Sequence, residues 1–69
     1  MYNKEDYKDC LHSLLSHYKR HGFGEMSLYS ALTGVPTIVV YELLMEAVPE
    51  EKENCEERIK AIKDFFGYK

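Results

Sequence analysis

With 69 residues the chain has room for one domain. Chains below roughly 70 to 80 residues seldom bury enough apolar surface to be more than a few kcal/mol stable unaided, so self-association is open from the start. A hydrophobic fraction of 45% beside 30% charged residues excludes a disordered chain, and nine Lys plus Arg against twelve Asp plus Glu, net charge -3, exclude an overall attraction to a phosphate backbone.

Asn3 can cap a first helix, because Asp6 stands three residues later in a variant of the capping box and Glu5 and Asp6 place negative charge at the positive end of the dipole. That helix is predicted to begin near Lys4. Tyr7, Cys10, Leu11, Leu14 and Tyr18 recur at helical spacing and gather on one stripe. Lys19, Arg20 and His21 suit the negative end of the dipole, and Gly22 supplies a left-handed C-terminal cap.

Phe23, between Gly22 and Gly24, reads as a plug that fills the gap between the first helix and the next. A short second helix opens at Ser27, or at Glu25 a little earlier, and runs through Leu28, Ala31 and Leu32 to Thr33. Gly34 ends it with a positive backbone angle, Val35 points back into the core, and Pro36 starts the third helix.

The third helix, about Thr37 to Ala47, puts Val40, Leu43, Leu44 and Ala47 on one face, with Ile38, Tyr41, Glu42, Met45 and Glu46 across from them. Its β-branched start also fits a strand, but the helical period continues to Ala47, so helix is the expectation. Pro49 followed by Glu50, Glu51 and Glu53 is a start signal for a fourth helix running to about Phe66. Cys55, Ile59, Ile62 and Phe66 make its stripe, with Phe65 beside it. Arg58, Lys60 and Lys63 come late, as the dipole prefers, Gly67 caps it, and Tyr68 and Lys69 are expected to fray.

The expected fold is all-α, a compact four-helix domain with a helix-turn-helix-like core and no internal repeat. Tyr29-Ser30-Ala31-Leu32-Thr33-Gly34-Val35-Pro36, followed by Val40, Leu43 and Leu44, resembles the helix-turn-helix segment of bacterial transcription regulators. The likeness is to the winged-helix kind, whose pattern is Leu-Ala-x-x-Thr-Gly-Leu-Pro and then a recognition helix ending in Leu-Leu, and it covers about 20 of the 69 residues. Tyr29 and Ser30 depart from that pattern, and no hairpin suitable for a wing follows. The resemblance implies DNA reading by the third helix.

Recognition helices touch base edges with Arg, Lys, Asn, Gln or Ser and anchor phosphates with cations. Here the helix offers Thr37, Ile38, Tyr41, Glu42 and Met45, and no lysine or arginine stands between Glu25 and Glu51. The same surface fits protein contact: Ile38, Tyr41 and Met45 line up, Glu42 and Glu46 form a rim, and Tyr29 adds aromatic support. A second reading stays open, in which the fourth or first helix folds over this face and the third is the central helix of a small bundle, so that any interface lies elsewhere.

The function expected is that of a small non-enzymatic intracellular regulator or adaptor acting by protein contact, with a partner of unknown identity or as a homodimer. The alternative is a DNA-binding transcription regulator that adds Lys19 and Arg20 to Thr37. No stretch approaches the roughly 18 apolar residues of a membrane span, and the start lacks the order of a signal peptide, so a cytoplasmic protein is expected. In that compartment Cys10 and Cys55 are expected as buried thiols. Cys10, His17, His21 and Cys55 would make a valid tetrahedral zinc set, but no close Cys-x-x-Cys pair supports it, and no metal or cofactor is expected. With no glycine-rich phosphate loop, and with Cys10, His12 and Ser13 unable to face one another as a triad, no catalytic residue is assigned. The acidic run from Glu50 to Glu57 reads as a solvated helix start.

Overall fold

Four α-helices carry the chain: α1 Leu11–His21, α2 Met26–Thr33, α3 Thr37–Ala47 and α4 Lys52–Phe66. Short 3-10 helices at Lys4–Cys10, Phe23–Glu25 and Pro49–Glu51 lead into α1, α2 and α4. The computed structural model describes residues 4–66, and among the described residues there is no strand. The fold is all-α, as expected. The expected caps Asn3 and Gly67, and the fraying of Tyr68 and Lys69, lie outside the described residues.

The bundle is built around α3. Val39, Val40, Tyr41, Leu43 and Leu44 are all buried, and at 3.6 residues per turn these cover more than one face of the helix. Leu14 from α1, Met26 and Tyr29 from α2, Val35 from the turn and Cys55 from α4 complete the buried core. Burying a side chain of this size is worth roughly 1.5–3 kcal/mol, so α3, with half of the core, is the main source of cohesion. Ala47, expected on the buried face, is exposed, because the helix ends there with the Val48 N–H bonded to the Leu44 carbonyl at 2.8 Å.

The first helix departs from expectation at its start. α-Helix begins at Leu11, and Lys4–Cys10 is a 3-10 helix with no buried residue. The tighter winding eclipses i and i+3, which turns Tyr7 and Cys10 together against the core. An ion pair from Lys4 to Glu46 ties this segment to α3. Gly22 has the positive φ expected, 87°, but its ψ of 174° sends the chain off extended rather than into a left-handed cap.

The second helix is rotated from the expected face. Met26 and Tyr29 are buried, whereas Ala31 is exposed, Leu28 is 45% exposed and Leu32 70% exposed. A tyrosine buries more surface than a leucine provided its hydroxyl finds partners, and Tyr29 Oη donates towards the Cys10 carbonyl at 3.4 Å and Ser13 Oγ at 3.3 Å.

Gly34, at φ 79° and ψ 2°, is left-handed and gives its N–H to the Ser30 carbonyl at 2.9 Å. Ser30, one of the two departures from the regulator pattern, closes this turn: its Oγ donates to the Val35 carbonyl at 2.6 Å and lies 2.9 Å from Thr37 Oγ1. Pro36 stands one residue before α3 rather than in its first turn, and its carbonyl accepts the N–H groups of Val39 and Val40 at 3.0 and 3.1 Å.

A short connection returns α4 along α3. Cys55 is fully buried and Ile59 and Ile62 half-buried, but the expected stripe stops there: Phe66 is 65% exposed and Phe65 83% exposed. With 15 residues against 11, α4 is about 6 Å longer than α3, and its last turn leaves both rings exposed.

Tyr18 on α1 is bound to the start of α4, its hydroxyl donating to Glu51 Oε2 at 2.6 Å. That bond, then burial and the neighbouring carboxylates, push Tyr18 from its ordinary 10 up to about 12. The same bond, reinforced by Asn54, holds Glu51 below its ordinary 4.5. A raised tyrosine contributes stability in full below pH 10 and loses it as the pH rises towards 12, whereas a lowered carboxylate contributes above its unfolded value and loses that as the pH falls through its folded one. The gap in melting temperature between the native protein and Tyr18→Phe is therefore widest at neutral pH and narrows at both extremes. Circular-dichroism melts across the pH range check this, and a gap that did not vary with pH would rule it out.

Candidate functional site

Two of the five residues expected to meet a partner are not on the surface. Tyr41 and Tyr29 are each 3% exposed and belong to the core. The Tyr41 ring centre lies 5.6 Å from that of Phe23, with the planes tilted by 40°, and the Arg58 guanidinium stands over the Phe23 ring, 5.7 Å from its centre. Burial pushes the Tyr41 hydroxyl pKa up, opposed by the charge of Arg58. Phe23 is thus a plug, as expected, but it reaches α3 and α4. Of the two readings open for the third helix, the central one holds: α4 packs along it.

Ile38, Glu42 and Met45 remain half-buried. Met45 is the member that lines an open groove between α3 and α4, about 500 Å³ in volume. Ile59 shares its apolar floor, and Glu56, Lys60, Lys63 and Asp64 surround it. Lys60 Nζ lies 3.4 Å from Asp64 Oδ2, so two of the rim charges are held on one edge. Ile59, Lys63 and Phe66 follow at spacings that keep them on one side of α4, which places Phe66 on the groove side at the end of the helix. There the rings of Phe65 and Phe66 meet edge to face, centres 5.0 Å apart and planes at 89°. Ile59 packs partly against the core, as its place on the stripe predicts, whereas Phe65 and Phe66, also expected to pack within the chain, lie on the surface. The available signal was the greater length of the fourth helix.

The residues of the DNA-binding alternative separate. Lys19 and Arg20 are exposed at the end of α1, but Thr37 is half-buried and its hydroxyl is engaged by Ser30. The zinc set does not assemble: among the described residues no group of three or more His, Cys, Asp or Glu side chains is placed to hold a metal. Both cysteines are free, and burial, with the charge of Glu51 adding to it, pushes the Cys55 thiol up to about 11. Among the described residues no helix is long and apolar enough to cross a membrane.

Fold and groove together define a class: an all-α four-helix domain with an amphipathic groove beside its central helix. No protein-family model, no curated protein and no solved structure matches the chain.

Proposed function

We propose that this protein is a small intracellular, non-enzymatic regulator or adaptor that acts by protein contact, and that its first partner is a second copy of itself held through the α3–α4 groove. The observation that carries this reading is the groove, with an apolar floor of Met45 and Ile59 and a rim of two carboxylates and two ammonium groups. In a two-fold contact the same patch meets itself, so a rim with equal numbers of both signs is its own complement. Beyond the groove on the same helix, Phe65 and Phe66 are the most exposed large apolar side chains on the described surface apart from Leu32. Withdrawing each phenylalanine from water contributes roughly 1.5–3 kcal/mol, which a chain of this size cannot obtain by enlarging its own core.

Sedimentation velocity over a wide concentration range tests it. The native chain shifts from monomer to dimer as concentration rises, and Phe66→Asp stays monomeric with an unchanged helical circular-dichroism spectrum. A native chain that remains monomeric throughout sinks the proposal. The runner-up is a helix-turn-helix transcription regulator, favoured by the glycine turn between α2 and α3 and by the exposed Lys19 and Arg20. Against it stands α3, which has no cation and is buried from Val39 to Tyr41. Salt-dependent duplex binding that disappears in Lys19→Gln and Arg20→Gln would favour that reading over the first.

A further inference from the structure

A second groove, about 300 Å³, lies along α1 and against α2, apart from the residues of the contact groove. All three histidines of the chain, His12, His17 and His21, line it together with Arg20, and the hydroxyls of Ser13, Ser16 and Tyr29 complete its wall. The α1 members gather there because positions three and four apart return to the same side of a helix. No carboxylate lines it, in a chain whose net charge is -3.

The lining favours an anion over a metal. His17 Nε2 donates to the Glu25 carbonyl at 3.2 Å, and among the described residues no three His, Cys, Asp or Glu side chains are placed to share a cation. Its ring is held between those of His21, 4.6 Å away, and Tyr29, 5.3 Å away. Ser13 Oγ accepts from Tyr29, which leaves its own proton to donate. Arg20 is exposed and, among the described residues, forms no ion pair. The nearest acidic residues in sequence, Asp9 one turn before His12 and Glu25 in the turn before α2, do not line the groove.

We propose that this groove binds a phosphate group, as carried by inorganic phosphate or a small phosphate monoester. The planar guanidinium of Arg20 takes two oxygens, and the serine hydroxyls with a histidine N–H meet the third. A carboxylate would leave part of this donor set unused, whereas a phosphate presents three strong acceptors.

An amide NMR titration of the full chain with sodium phosphate, at ionic strength held constant with sodium chloride, tests this. Saturable shifts are expected, confined to α1 and the start of α2. Arg20→Gln weakens binding about tenfold and Ser16→Ala severalfold, the loss ordinarily seen when a charge-assisted hydrogen bond is removed. Both positions are exposed, so both variants keep the fold. Lys19→Gln, whose side chain does not line the groove, leaves affinity nearly unchanged. Equal shifts with chloride alone overturn the proposal, as do equal losses from Lys19→Gln and Arg20→Gln, which would mean diffuse attraction. Binding of duplex DNA without any response to phosphate overturns it in favour of an extended polyanion surface.

Discussion

Tyr41→Ala unfolds most of the population at room temperature. The side chain is 3% exposed and packs against Phe23, with Cys55 and Arg58 close enough to act on its hydroxyl. Truncating a buried aromatic costs about 3–5 kcal/mol, because the transfer free energy of the ring is lost and a cavity remains. In a chain of 69 residues the total stability is itself on the order of a few kcal/mol. Tyr41→Phe keeps the packing and loses only a partly desolvated hydroxyl, so it melts within a few degrees of the native protein. Circular-dichroism melts of the pair distinguish core from contact surface. A folded Tyr41→Ala that had merely lost self-association would return Tyr41 to the interface.

That experiment bears on what the sequence could and could not disclose. The bounds of α3 were legible because chemistry punctuates them: Gly34 must take a positive φ, Pro36 cannot continue α2, and Val48-Pro49 ends the apolar period. The all-α class was legible for the same reason. Which side of a helix faces inward was less so. Tyr41 and Met45 lie four residues apart and share a stripe by period, yet α4 crosses so that one is core and the other lines a groove. In α2, Leu28, Ala31 and Leu32 satisfy helical spacing as well as Met26 and Tyr29 do, and over 8 residues periodicity alone cannot choose between the two faces. The choice depends on partners distant in sequence, the Ser13 hydroxyl and the Cys10 carbonyl, which let the tyrosine go inside. At Lys4–Cys10 the spacing of Tyr7 and Cys10 fits a 3-10 helix and an α-helix equally. The phosphate groove was present only as scattered histidines and a basic helix end, read first as a weak metal set and as a complement to the helix dipole.

Leu14→Ala and Leu32→Ala are expected to differ widely although both remove the same atoms from a helix. Leu14 is the only fully buried residue of α1, and the 3-10 helix before it contributes none. Tyr7, Cys10, Leu11, Leu15 and Tyr18 are only partly buried against the core, and the segment's other ties are polar: the Tyr18–Glu51 bond, the Tyr29–Ser13 bond and the Lys4–Glu46 pair. Each polar tie has a net worth of only about 0–1.5 kcal/mol in partly solvated settings. Removing the leucine side chain costs about 2–5 kcal/mol, and at roughly 4–8 °C per kcal/mol for a domain of this size the melting temperature falls by at least about 8 °C. Leu32 is 70% exposed, so its truncation stays within about 0.5 kcal/mol. Thermal melts of both variants decide which face of α2 is turned inward. Comparable losses from the two would mean that Leu32, rather than Tyr29 and Met26, carries the second helix into the core.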